Sequence, residues 1–165
     1  MTIIPRLLFL LVLAVVPVVL WTTSAALPER VATHFGPGGV ANGWMTRDGY
    51  RAFILALTTL LPLFVVAMTG FLPRIAASQI RTRDREHWLA PARRAETMGW
   101  LASHACWLGI VLSLFLTGIH LLTLQANALT PARLSEPAFF TLLIAFLVAL
   151  VLWMVAATLR FRRAL

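Results

Sequence analysis

The sequence predicts an all-α membrane protein. It has four transmembrane helices, both termini on the cytoplasmic side, and a Gly-rich extracytoplasmic loop between the first two helices. Three observations carry this reading. Of 165 residues, 60% are hydrophobic and only 12% are charged, which is more apolar surface than a soluble domain of this size can hide. The apolar residues gather in four windows, each close to the roughly 20 residues that a hydrocarbon core about 30 Å thick demands of a helix. All fourteen basic residues are arginine, and most lie just outside those windows, none of which contains Asp, Glu or Lys.

The first helix is expected over about residues 4–26, where Arg6 can snorkel to the headgroups. This stretch has the outline of a secretory signal, with Ser24-Ala25-Ala26 as a cleavage-like site. The apolar run continues through Val18, Val19, Leu20 and Trp21 to spanning length, so an uncleaved helix is expected. The loop over about 27–51 is crowded with Gly36, Pro37, Gly38, Gly39, Asn42 and Gly43, which read as turns. A second helix follows over about 52–72, then an Arg-rich cytoplasmic loop over about 73–98. The third helix is expected over about 99–124, a short outer loop over about 125–137, and the fourth helix over about 138–159 before a basic tail. Pro17 and Pro62 fall inside helices, where each removes one backbone hydrogen bond. Helix is the only open-chain solution here, because lipid offers no partner for backbone N–H and C=O groups.

Orientation follows from the arginines. Arg6, Arg74, Arg81, Arg83, Arg85, Arg93, Arg94, Arg160, Arg162 and Arg163 share one side, and only Arg30, Arg47, Arg51 and Arg133 the other. The richer side is expected in the cytoplasm. The net charge of +8 therefore points to anionic lipid headgroups and not to nucleic acid, since the middle-loop arginines are interleaved with Asp84, Glu86 and Glu96. Cys106 is alone, so neither a disulfide nor a Cys-x-x-Cys metal spacing exists.

On the third helix, Gly99, Ala102, Cys106, Gly109, Ser113, Thr117 and His120 fall within roughly an 80° sector. Thr141, Ala145, Ala149 and Ala156 form a similar sector on the fourth. Small and hydroxyl side chains let helices approach closely, so Gly109, Ser113, Thr117, Ala145 and Ala149 are expected at helix contacts, within the chain or between copies. A ligand-lined cavity is the second reading of these stripes. His104 and His120 lie about 24 Å apart along the helix and cannot share an ion. His34, Asp48, His120 and Glu136 could meet as an outer polar cluster, either ligating a metal or simply hydrogen-bonded. No short His-x-x-x-His spacing is present, and neither a metal nor another cofactor is expected.

Two loop strings resemble a known family. The first reads Leu27-Pro28-Glu29-Arg30-Val31-Ala32-Thr33-His34-Phe35, then Gly39, then Asn42-Gly43-Trp44, directly after an apolar helix. This is similar to the bacterial domain-of-unknown-function family 1648, the N-terminal domain of SdpI-type membrane immunity proteins; Ala32 stands where that family usually has Pro. The second, Trp88-Leu89-Ala90-Pro91-Ala92-Arg93-Arg94-Ala95-Glu96-Thr97, resembles the family's cytoplasmic loop, with His87 in place of Tyr. Residues 1–98 thus read as the family-like unit and 99–165 as a further helical pair, a short four-helix member without the long C-terminal portion of SdpI-type proteins.

In physical terms Pro28 ends the first helix, and Phe35, Trp44 and Tyr50 settle at the headgroups. His34 either presents itself to a ligand or holds the cap together. At the other face Trp88 anchors, Arg93 and Arg94 contact anionic lipid, and Pro91 with Glu96 starts the third helix. The resemblance and the compact loop imply a non-enzymatic factor of the bacterial cytoplasmic membrane, recognising a peptide or membrane-protein partner or acting in an immunity-like or signalling role. A small-solute transporter is the alternative, though no intramembrane carboxylate is available for coupling. A membrane enzyme would need a nucleophile beside a base or paired carboxylates, and only His34 with Asp48 comes close.

Overall fold

The computed structural model describes residues 3–71 and 85–162. Four helices in it are long and apolar enough to cross a membrane: Ile4–Ala26, Arg47–Phe71, Pro91–Asn127 and Glu136–Phe161. The chain is a multi-pass helical membrane protein. Arg74, Arg81 and Arg83 in the middle loop, and Arg163, lie outside the described residues.

Helix α1 (Ile4–Thr23) tightens into a 3-10 turn at Ser24–Ala26 before Pro28. Helix α2 (Arg47–Val66) starts earlier than residue 52. The reason is local: Thr46 caps it by accepting from Gly49 N at 3.1 Å, with Asp48 in the first turn against the helix dipole. It widens at Ala67–Phe71 into a π turn. A short helix α3 (Arg85–Leu89) precedes α4 (Pro91–Asn127), which starts well before residue 99 because Pro91 suits a first helical turn. Glu96 consequently lies beyond the first turn of α4 and does not cap it. Helix α5 (Glu136–Phe161) is capped by Ser135, with Glu136 in its first turn.

The loop between α1 and α2 corrects the all-turn reading of 27–51. Strands β1 (Arg30–Phe35) and β2 (Ala41–Thr46) pair antiparallel, Arg30 opposite Thr46 and Phe35 opposite Ala41, with an irregular step around Thr33. Val31, Thr33, Phe35, Trp44 and Thr46 are the β-branched and aromatic residues that favour extended chain. Gly38 and Gly39 both adopt φ of 72° to turn it. At Gly39 a side chain is doubly forbidden, because a Cβ would sit 2.1 Å from Leu134 O.

Helices α1, α2 and α4 pack together, with α4 running through the middle. Nearest the hairpin, Val16, Leu20, Leu27, Val31, Tyr50 and Ile54 form one buried cluster; further along, Phe9, Val66, Ala105, Cys106 and Ile110 form a second. Gly109 makes the second possible. A Cβ there would meet Phe9 Cε2 and Val66 Cγ2 at 2.6 Å each. Ser113 is 1% exposed in the same interface, and Thr117 is half-buried, its hydroxyl donating to Ser113 O.

The stripe expected on the fourth helix behaves differently. Ala145 is exposed and Ala149 only half-buried, and α5 buries none of its residues. Its contact with α4 is made instead by larger side chains. Leu142 lies over Gly118, Phe146 stacks on Phe115, and Trp153 stacks on His104. Ring area, rather than close backbone approach, holds this pair.

Candidate functional site

At the hairpin end of the bundle a buried polar chain joins the three central helices. Thr23 Oγ1 donates its only proton to Val19 O at 2.6 Å, so it must accept from His120 Nε2 at 2.8 Å. His120 Nδ1 is then the acceptor for Tyr50 OH at 2.9 Å, and the two rings stack with an interplanar angle of 14°. His120 is 0% exposed. Both ring nitrogens are used inside the protein, which removes His120 from the expected cluster with His34, Asp48 and Glu136. Asp48 leaves it too, its exposed carboxylate lying 3.9 Å from Arg51.

The hairpin is pinned onto this end from two directions. The Asn127 amide accepts from Ala32 N at 2.7 Å and donates to Ala32 O at 2.9 Å, acting as a one-residue strand partner. From the loop before α5, Leu134 N donates to Gly39 O at 2.9 Å, Arg133 Nε donates to Gly38 O at 2.9 Å, and Gly38 N donates to Glu136 Oε1 at 2.8 Å. Arg51 Nε donates to Ser24 Oγ at 2.8 Å while its guanidinium lies 4.5 Å from the Trp21 ring centre.

Between the pinned hairpin, α4 and the start of α5 lies a cavity of about 360 Å³. Its apolar walls are Phe35, Ile119, Leu122, Leu134, Phe139 and Phe140, and its polar lining is Thr33, His34, Thr123 and Glu136. His34 and Glu136 are thus the two members of the expected cluster that share a site. Of the loop motif, His34, Phe35 and Gly39 line the cavity. Asn42 sits behind it, its Oδ1 accepting from His34 Nδ1. A Cβ on Gly43 would press on His34 Cβ at 2.9 Å. Trp44 is half exposed beneath the Arg30 guanidinium, 4.9 Å away, and Pro28 is exposed at the start of the hairpin. The bond to Asn42 leaves His34 Nε2 as the acceptor nitrogen of the neutral ring.

The opposite end carries the second motif, in a structural arrangement. Trp88 is 7% exposed, edge-on to Phe161 and covered by the Arg160 guanidinium, so it is packed within the bundle end and does not anchor in the interface. Thr97 Oγ1 donates to Trp88 O at 2.9 Å, and Glu96 pairs with Arg160 at 2.8 Å. Arg93 reaches the His87 ring, and Arg94 is exposed. His104 is sandwiched between Trp100 and Trp153, and Trp153 Nε1 donates to His104 O at 2.8 Å. Arg6 Nη2 donates to Gly99 O at 3.0 Å, tying α1 to α4.

Sequence reasoning missed Thr23, Tyr50 and Asn127 as parts of one device. A signal existed on α4: His120, Thr123 and Asn127 recur at helical spacing on a face that continues the small-residue stripe. What they bond to was not inferable from spacing. Among the described residues, no group of three or more His, Cys, Asp or Glu side chains could hold a metal ion.

A comparison with protein-family models matches residues 8–60 to the domain of unknown function DUF1648. No curated protein and no solved structure matches the chain. The matched stretch takes in most of α1, the whole hairpin and the first part of α2, including Thr23, His34 and Tyr50. Over residues 8–60, about a third of the chain, the protein is similar to the DUF1648 family, and the match fits a member of it.

Proposed function

We propose that the protein is a non-enzymatic recognition factor of a bacterial cytoplasmic membrane, whose hairpin end faces outward and seats part of a peptide or membrane-protein partner. The observation that carries this reading is the cavity under the hairpin. It is concave, mostly apolar and furnished with a few polar groups, the usual make-up of a ligand site, and its size falls in the range of such sites. Its roof is fastened to α4 and α5 by main-chain and amide bonds, so the shape exists before any partner arrives. The resemblance to SdpI-type proteins is the support for an immunity-like or signalling outcome of that recognition. The outward orientation rests on the distribution of arginines.

Photo-crosslinking in intact membranes tests the proposal. A photoreactive residue replacing Phe140, beside the cavity, is expected to capture a discrete species. The same residue replacing Leu147, on the exposed face of α5, captures only lipid. Identical products at both positions would overturn it. Orientation is tested by an impermeant maleimide, which labels Trp44→Cys in intact cells and leaves Arg94→Cys unlabelled if the hairpin is outside.

A further inference from the structure

We infer that the cavity takes an apolar molecule bearing a protonated amine; this rests on the recognition reading just given and adds the ligand's charge. The chain carries a net charge of +8, yet among the described residues lining this cavity there is one carboxylate, Glu136, and no arginine. An acidic ligand would meet a like charge on the lining itself, the Arg133 cation lying outside that lining with its Nε held by Gly38 O. Of the other polar groups, the Thr33 hydroxyl can donate or accept, and His34 and Thr123 offer acceptors. His34 Nδ1 donates to Asn42, so in the neutral tautomer of the ring Nε2 is the acceptor. Thr123 has spent its hydroxyl proton on Ile119 O at 2.9 Å, so its oxygen too can only accept. Glu136 has one oxygen on Gly38 N and a second to offer.

Acceptors outnumber donors among these side chains, so a ligand that supplies donors suits them, and an ammonium supplies three with a charge of the matching sign. Phe35, Phe139 and Phe140 add ring faces that attract a cation and apolar area that takes its body. A free peptide N-terminus followed by apolar side chains and a small alkylamine share this chemistry.

The test uses the purified full chain in phosphatidylcholine nanodiscs, with three probes that differ only in the head: phenylbutylamine, phenylbutanol and phenylbutyrate. Binding is read by ligand-observed NMR and corrected with empty nanodiscs. The amine is expected to bind at least about tenfold more tightly than the acid, with the alcohol between them. Glu136→Gln keeps an acceptor for Gly38 N and should weaken the amine about fivefold while leaving the alcohol unchanged. Leu122→Trp fills the cavity and should weaken all three, with Phe140→Ala as a milder probe of the same wall. Equal binding of amine and acid, or equal loss of amine and alcohol in Glu136→Gln, overturns the charge inference while the cavity stands. If Leu122→Trp and Phe140→Ala leave every probe unaffected, both the inference and the recognition reading fall. A phenylalanine-initiated tripeptide against its N-acetylated form then separates peptide N-terminus from alkylamine.

Discussion

Helices α4 and α5 are neighbours of opposite character. Helix α5 is the most hydropathic of the four spans and none of its spanning window is buried, whereas α4 is the least hydropathic and 44% of its window is buried. In water the ranking would be reversed, because apolar residues go inside. In lipid the tails solvate leucine as well as another leucine does, so a helix is drawn inward by small residues and by polar groups that find partners there. Gly109, Ser113 and His120 mark the inside of this bundle; Leu147, Val151 and Leu152 mark its outside.

Removing the polar partners should therefore hurt more than removing apolar ones. His120→Ala leaves Tyr50 OH and Thr23 without their shared ring and opens a void at the hairpin end. A loss of about 3 kcal/mol is expected in thermal unfolding of the detergent-solubilised protein. An unchanged midpoint would mean that the buried chain does not hold the three helices. Gly109→Leu pushes Phe9 and Val66 apart and is expected to cost about 2 kcal/mol by the same measurement. Asn127→Ala orphans the N–H and C=O of Ala32 and should cost about 1–2 kcal/mol. Its distinguishing sign is local: faster amide exchange and easier proteolysis in the hairpin, with helical circular dichroism unchanged.

On the other side of the comparison, Trp153→Phe keeps a ring over His104 but deletes the indole N–H bond. The expected cost is about 1 kcal/mol, checked by the yield of a disulfide engineered between positions 115 and 146. Ala145→Leu, at an exposed position on α5, should change stability by less than about 0.5 kcal/mol. A clear destabilisation would show that this face is covered in the membrane by another helix, which would restore the packing role expected for the Ala145 stripe from sequence.

Much of the site's inventory was legible, though not its grouping. The loop string flagged His34, Phe35 and Gly39, all of which line the cavity, and Glu136 entered as a carboxylate near the same face. His120 was legible as polar in a membrane helix, but its placement was not. An imidazole two turns below a helix end can face a ligand, a neighbouring hydroxyl or the headgroups, and only the arrival of Thr23 and Tyr50 from two other helices decides among these. The hairpin went unread because Gly36, Pro37, Gly38 and Gly39 dominate the local pattern, while the alternation in Arg30–Phe35 is short and has no strand to its far side. Asn127 takes that strand's place.

The sequence by itself determined that four apolar helices would form and where their apolar runs lie, because backbone groups in lipid must bond within their own helix and run length alone meets that demand. Tertiary structure decided which faces of those helices meet, that the loop becomes a strand pair, and that His34 and Glu136 share a cavity while His120 does not. Lipid exerts no pull that sorts apolar faces into inside and outside. That choice is therefore left to close packing at positions such as Gly109 and to hydrogen bonds between residues up to 98 apart in the chain.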